Sequence, residues 1–495
     1  MSTRIHVPFL AWVTARSRAL TVLGGSLLLL VPLVASAATI SVNDTSDTTG
    51  GRGCTLRDAI DSSNSDTPVG GCAAGSGADT IVFNVPPKTT IKLTTGAFLK
   101  ILDDVTILGP GASSLTIDGN KSTEVFEIDS GTATISDLTI KNGAAGGDGA
   151  GISNFDTLTL TNCTVSGNSS TASTGGIFNG GYLTLTNCTV SGNSSAGGHG
   201  GGIYNDGVLT VTNSMLSGNK NLAGLGAGIY NANGGMVTLT NSTLSGNKNP
   251  GGDGGGIYNV SGGTVTLNNS TVIGNSLPGA NGVGGGIGAG IANRGTLTLN
   301  SSTVNGNSSA GGFGGGVFND GTATLNNSTL NGNSVPPFGS SGAKGGGIMN
   351  VGALTLTACT LSGNKAPKNA FSGDGIGGNI ADEGGTLTVA NTIIANSQSS
   401  GGDCVHIAGT VTDNGHNLTL DPTNNCGLTS AAGDLTATNP HVGALAKNGG
   451  GTKTMKLSNT SPAIGVGGPV QCAMFDVDQR GWSRTSCDIG AYAAP

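Results

Sequence analysis

The chain carries little charge. Only 10% of its 495 residues are Asp, Glu, Lys or Arg, with 21 basic residues against 28 acidic ones. A mildly acidic chain with so few cations has no electrostatic footprint for nucleic acid, which is excluded as a partner. Aromatic residues amount to 4%, so a large core has to be aliphatic. Beyond the first 37 residues no apolar run is long enough to cross a bilayer. Glycine is what the chain has in excess: 90 residues, where ~7% is usual. That level implies either disorder or a repeat in which particular backbone positions demand glycine.

The opening stretch stands apart. Arg4, Arg16 and Arg18 make a basic start, Leu20 to Val34 is almost wholly apolar, and Ala35-Ser36-Ala37 places small residues where a signal peptidase reads. Residues 1–37 are expected to be a secretory signal, the rival reading being an uncleaved membrane anchor. Cleavage removes three Arg and no acid, taking the formal charge from −7 to −10. The expected location is extracellular or at a bacterial cell surface.

A repeat accounts for the glycine. Gly-Gly-Ile-x-Asn recurs with its apolar residue at Ile152, Ile177, Ile203, Ile229, Ile257, Ile291, Val317, Ile348 and Ile380. A Leu-Thr-Leu-type run follows each time, as in Leu158-Thr159-Leu160, and then a segment such as Asn187 to Asn193. Spacings run from 25 to 34 residues, with the excess in Gly-rich inserts such as Pro278 to Gly286. Each unit reads as three short strands of period two separated by Gly and Asn turns, with no helical pattern. Such strands cannot bury a core alone, but stacked units ~4.8 Å apart can. The inward set is the first-strand Ile, both Leu of the second strand and the Val or Leu of the third.

Asparagine supports the same stacking. Two residues after the inward apolar residue, Asn recurs at Asn154, Asn179, Asn205, Asn231, Asn259, Asn293, Asn319 and Asn350, and Asp382 replaces it in the ninth unit. A second row runs from Asn168 to Asn364. Stacked amides at bends are expected to hydrogen-bond from rung to rung and to tolerate left-handed backbone. The fold class is therefore all-β: one right-handed parallel β-helix, a pectin-lyase-like solenoid capped at both ends. Handedness rests on rungs longer than the ~18 residues of left-handed hexapeptide helices. The expected divisions are an N-terminal cap over 38–79, the helix over 80–400 with regular repeats from about 149, and C-terminal rungs and a cap over 401–495.

Both ends carry motifs. Cys54-Thr55-Leu56-Arg57-Asp58-Ala59-Ile60 resembles the CSLREA motif of bacterial surface β-helix proteins, with Thr for Ser and Asp for Glu. Thr55 and Asp58 form a weak capping box for a short helix whose Leu56, Ala59 and Ile60 would cover the first rung. Asp478-Gln479-Arg480-Gly481 and Asp488-Ile489-Gly490-Ala491-Tyr492 resemble the choice-of-anchor Q domain. Gly-Gly-Ile and Val-Ser-Gly-Asn are similar to repeats of polymorphic outer membrane proteins, although the C-terminal β-barrel of that family is not expected here. These resemblances imply a location and a fold rather than a reaction.

Nine cysteines in an exported chain predict disulfides. Cys54 with Cys72, Cys404 with Cys426, and Cys472 with Cys487 are expected to pair locally. Cys163, Cys188 and Cys359 share a repeat slot with Ser214, Ser242, Ser270 and Ser328, where a small inward group is wanted. Cys163 and Cys188 are placed either for a disulfide or as buried thiols.

Candidate sites are few. The residue after the inward Ile points outward, and Phe178, Tyr204, Tyr230 and Tyr258 occupy that position on four consecutive rungs. They form a ladder on which a glycan could stack, or a stack that merely stiffens the sheet. Many parallel β-helices are polysaccharide lyases or hydrolases, which need paired carboxylates or acids holding Ca²⁺. From Gly149 to Ser400 the acids are only Asp156, Asp206, Asp253, Asp320, Asp374, Asp382 and Glu383, and Arg294 is the one Arg. Arg294 and Asp320 share a repeat position and are expected to pair between rungs. Asp103, Asp104, Asp118, Glu124, Glu127, Asp129 and Asp137 make the N-terminal rungs richer, and turn and surface roles are expected for them. His199 is expected to stand alone and exposed in its Gly loop. No cofactor or calcium nonapeptide motif is present, and Ca²⁺ is unsupported by any motif.

The leading expectation is a non-enzymatic secreted or cell-surface β-helix in adhesion or in binding polysaccharide or a host or cell-surface glycan. The alternatives are a polysaccharide lyase or glycoside hydrolase, with its site on the N-terminal rungs or near Pro278 and Pro336, and a purely structural envelope or matrix component.

Overall fold

In a computed structural model, residues 37–279, 284–337, 342–368, 375–423, 426–429 and 432–494 are described. The expected signal, up to Ser36, and Asp374 lie outside them.

The alternation of small apolar and polar residues produces short parallel strands that stack in register. First strands such as Ile152–Asn154 and Ile177–Asn179 pair Ile to Ile and Asn to Asn. Second strands such as Thr157–Thr161 and Tyr182–Thr186 pair Leu158 with Leu183 and Leu160 with Leu185. Third strands such as Thr164–Ser166 and Thr189–Ser191 belong to a separate 13-stranded sheet. The first two ladders merge at Ile380–Ala390, which runs from one into the other. The result is a parallel β-solenoid of about 13 turns. Ile152, Leu158, Leu160 and Val165, with their equivalents in later rungs, are fully buried in one continuous aliphatic core. A fourth, two-residue strand also occurs in several rungs, among them Ser169–Ser170, Ser194–Ser195 and Lys220–Asn221. Two residues are too few to leave a period-two signal in the sequence.

Three side-chain rows hold the rungs together. Along the first row each Asn Nδ2 donates to the next Asn Oδ1, from Asn154 to Asn179 (2.7 Å) through Asn319 to Asn350 (2.8 Å), ending on Asp382 (2.7 Å). The second row does the same from Asn168 to Asn193 (2.9 Å) and continues past Asn364 to Asn379 and Asp403. A carboxylate ends each row because it accepts but cannot donate. Neither row has left-handed backbone. That conformation falls on Asn162, Asn187, Asn213, Asn241, Asn269 and Asn327, with φ between 46° and 55°, at the turn between second and third strands.

The third row is the Ser/Cys slot. The backbone N–H of Cys188 donates to Ser214 Oγ (2.9 Å), that of Ser214 to Ser242 Oγ (3.1 Å), and so on to Ser328. A small side chain with an accepting atom is required there, and sulfur meets the need: Cys163 N–H faces Cys188 Sγ at 3.4 Å. Cys163, Cys188 and Cys359 are buried free thiols. Burial pushes the Cys359 thiol up to about 12.

At the N-terminal end Thr39–Val42 already pairs with Asp79–Phe83, so the solenoid begins inside the segment expected to be a cap. Helix α1 (Leu56–Ser65) starts at Thr55, whose hydroxyl accepts from Asp58 N–H, and buries Leu56, Ala59 and Ile60. Arg57 fastens it through a buried ion pair with Asp47 (2.7 Å) and bonds to the carbonyls of Ala97 and Phe98. The Cys54–Cys72, Cys404–Cys426 and Cys472–Cys487 disulfides are present.

The C-terminal segment departs from a simple end cap. Cys404–Asp413 and Leu418–Thr419 add a further rung. After an antiparallel hairpin of Val442–Ala446 and Thr454–Leu457 the chain folds back along the flank of the third-strand sheet. Gln479 Nε2 donates to Thr303 Oγ1 (2.9 Å) and Ser302 O (3.2 Å), while its Oε1 accepts from Thr329 Oγ1 (2.5 Å). Farther along, Ala491 N–H bonds Thr360 Oγ1, and Asn391 Nδ2 bonds Asp488 O. This strap buries the outward Thr303, Thr329 and Thr360, whereas the equivalent Thr164 and Thr189 stay half-exposed. Within it the Arg480 guanidinium pairs with buried Asp478 (2.6 Å) and lies over the rings of Tyr492 (3.7 Å) and Trp482 (4.3 Å).

Candidate functional site

Register stacking places one residue per rung in an outward row beside the first Asn ladder. From the N-terminal end the row reads Lys100, Glu127, Ser153, Phe178, Tyr204, Tyr230 and Tyr258, followed by Ala292, Phe318 and Met349. The four aromatic residues singled out in the sequence are thus brought together. Ring centroids are 5.3 Å apart between Phe178 and Tyr204, 4.9 Å between Tyr204 and Tyr230, and 5.7 Å between Tyr230 and Tyr258, with interplanar angles of 25°, 28° and 1°.

The geometry corrects the expected use of those rings. Each ring face lies against the next ring, so hydroxyls and edges, not faces, are presented to a ligand. Phe155 closes one end at 5.5 Å from Phe178. Arg294 closes the other, 5.6 Å above Tyr258, which is only 4% exposed. Arg294 does not pair with Asp320; it approaches Asp253 at 3.9 Å, reaching back over the tyrosine ring. Asp253 accepts from Ile287 N–H, and its burial raises its pKa. Burial likewise raises the phenols of Tyr204, Tyr230 and Tyr258, which stay protonated donors at neutral pH.

His199 is not solitary. Its ring stacks on Tyr230 at 4.5 Å and 9°, and Nδ1 accepts from Leu225 N–H (3.0 Å). That bond fixes Nδ1 as the acceptor and leaves Nε2 to carry the proton. Burial lowers the imidazole pKa. The His199 signal was hidden because its loop meets the row one rung away.

The acidic N-terminal rungs divide into two groups. Asp103, Asp104, Asp118 and Asp137 accept from neighbouring backbone or Asn amides, as turn residues do. Glu127 and Asp129 instead hold Lys100 Nζ at 3.0 Å each. The bonds to Asp129 and Glu127 hold that ammonium above the usual lysine range. Burial pushes Glu124 up to about 8 despite a hydrogen bond with Ser153, and Glu127 and Asp148 push in the same direction. Sequence reasoning missed that this group heads the aromatic row. The signal was available, since Lys100 and Glu127 each follow an inward residue, Leu99 and Phe126.

Asp382 closes the Asn ladder with His406 Nδ1 at 2.6 Å, and Glu383 pairs with Lys344 at 2.7 Å. Among the described residues no group of three or more His, Cys, Asp or Glu is placed to hold a metal ion. No helix among them is long and apolar enough to cross a membrane.

Comparison with known proteins adds the handedness. Residues 107–277 match the family model described as right handed beta helix region. No curated protein matches the chain. Among solved structures, that of pectate lyase Pel9A aligns over 84% of this chain and 88% of its own at 14% identity, with a TM-score of 0.35. The chain is a right-handed parallel β-helix.

Proposed function

We propose that the protein is exported and binds polysaccharide, or a cell-surface glycan, along the outward aromatic row without cleaving it. The observation that carries this reading is the row of Tyr204, Tyr230 and Tyr258 in register. The rings repeat at the rung spacing of ~4.8 Å, about the length of one pyranose in an extended glycan. The half-exposed Tyr204 and Tyr230 can therefore offer hydroxyls to successive sugars, with the His199 ring alongside. Tyrosine suits such contacts because its ring is rigid and its tip is polar. The basic and apolar opening segment and the CSLREA-like and choice-of-anchor-Q-like motifs support export to the cell surface.

The double variant Tyr204→Ala, Tyr230→Ala tests the reading. It should abolish co-sedimentation with insoluble neutral polysaccharide while leaving the far-UV circular dichroism of the β-sheet unchanged. Retained binding in that folded variant contradicts it and leaves the stack as a stiffener of the sheet.

A second reading, glycan cleavage, has one observation in its favour. Glu124, protonated near neutral pH, stands at the head of the same row beside Glu127. A carboxyl kept protonated by burial is what general acid catalysis of glycoside hydrolysis uses. This reading predicts new reducing ends that disappear in Glu124→Gln.

A further inference from the structure

The fourth strand carries a pattern that neither the core nor the aromatic row uses. Its outward first residue is serine in many rungs, among them Ser169, Ser194, Ser276, Ser308 and Ser334. On two consecutive rungs it is lysine instead, Lys220 and Lys248, paired in register and both exposed. Two positions further on, Leu222, Pro250 and Pro278 form a parallel apolar row. Between the two rows lies a cleft of about 290 Å³ lined by Lys220, Leu222, Lys248, Pro250, Pro278 and Gly279.

Local structure gives no reason for these residues. Like charges on directly neighbouring strands repel, and serine fits the same slot on the rungs either side. No carboxylate among the described residues forms an ion pair with either ammonium. Leu222 is 49% exposed, a large apolar surface next to a double positive charge. The two rows together ask for a ligand with an anionic edge and an apolar face.

We propose that this cleft binds an acidic saccharide, with carboxylate or sulfate groups bridging Lys220 and Lys248 and the C–H face of a sugar ring lying on Leu222, Pro250 and Pro278. An inorganic anion would satisfy only the lysines, and a neutral sugar only the apolar row. The site is distinct from the aromatic row and does not depend on its occupant.

Isothermal titration of the full chain with a mannuronic acid hexamer, cellohexaose and sodium sulfate at low ionic strength tests the proposal. The hexamer should bind, with sulfate binding far more weakly, and cellohexaose far more weakly once the aromatic row is removed by Tyr204→Ala with Tyr230→Ala. Lys220→Ser with Lys248→Ser installs the serine of neighbouring rungs, so folding is preserved. Loss of both charges should weaken the hexamer by about tenfold or more. Lys447→Ser with Lys456→Ser, on the exposed hairpin, should bind as the wild type does. Tyr204→Ala with Tyr230→Ala should also retain hexamer binding, which separates this site from the aromatic row. The proposal is overturned if the wild type does not bind the hexamer, if the lysine variant binds it unchanged, or if cellohexaose binds the Tyr204→Ala, Tyr230→Ala variant as well as the hexamer does.

Discussion

Removing one amide from the middle of the first Asn ladder should destabilise the whole solenoid. Asn231 is fully buried. Its Nδ2 donates to Asn259 Oδ1 (2.8 Å) and Gly235 O (2.9 Å), and its Oδ1 accepts from Asn205 Nδ2 (2.8 Å). Asn231→Ala leaves Asn259 Oδ1 without that donor, whereas Gly235 O keeps Thr264 N–H (2.9 Å) and Asn205 Nδ2 keeps its bonds to Gly207 O and Met236 O. One orphaned buried acceptor at ~1–3 kcal/mol, with ~1 kcal/mol for the incoming bond from Asn205, gives a loss of roughly 2–4 kcal/mol. Asn154→Ala, at the N-terminal end, orphans Asn179 Oδ1 but interrupts no incoming bond, since Asn154 Oδ1 has no partner. It should cost about 1 kcal/mol less, the worth of the incoming bond. Urea titration followed by far-UV circular dichroism measures both. A loss below about 1 kcal/mol for Asn231→Ala, or equal losses at the two positions, would refute the idea that the ladder acts as a chain of buried bonds.

Other consequences follow from the buried groups. Thiol titration should find none of Cys163, Cys188 and Cys359 reactive in the native protein and all three after denaturation without reductant; a single thiol would mean Cys163 and Cys188 are bonded. Cys188→Ser should change stability by less than about 1 kcal/mol, because serine already accepts the same amide bond in the next five rungs. Glu124 binds its proton more tightly folded than unfolded, with a folded pKa of about 8. Its contribution is fully present below its ordinary pKa and is lost as pH rises through about 8. Urea midpoints at a series of pH values should therefore fall more steeply for the wild type than for Glu124→Gln between those limits, and parallel profiles would contradict the assignment. Gln479→Ala removes the bridge to Thr303 and Thr329 and should expose the strap to hydrogen exchange while the rungs stay protected; unchanged exchange there would show that the strap is held elsewhere.

What was readable in the sequence follows from how a solenoid uses its residues. Stacking puts chemically identical residues on top of one another, so the inward Ile and Leu positions and both Asn rows could be aligned by eye. The Ser/Cys slot was visible as a restriction on size, but its cause was not, because the bond runs from a backbone amide to a side chain one rung away. The aromatic row was legible as a register, yet the covering of its ring faces was not: it arises from ring orientation and from Arg294 lying over Tyr258 instead of facing Asp320. His199 reaches Tyr230 from a loop of another rung. The strap was the least legible feature. Gln479 and Thr329 are 150 residues apart, and the periodicity that aligns neighbouring rungs says nothing about a segment that leaves the repeat and returns along its side.

Polysaccharide contact along the outward row, without cleavage, is the property to test most directly. The most direct measurement is to incubate the protein with a panel of neutral and acidic polysaccharides, recording bound protein and new reducing ends in the same samples. Saturable binding to at least one polysaccharide, lost in Tyr204→Ala with Tyr230→Ala and accompanied by no new reducing ends, is the predicted result. Reducing ends that rise with time and vanish in Glu124→Gln would contradict it and make the head of the row a catalytic centre.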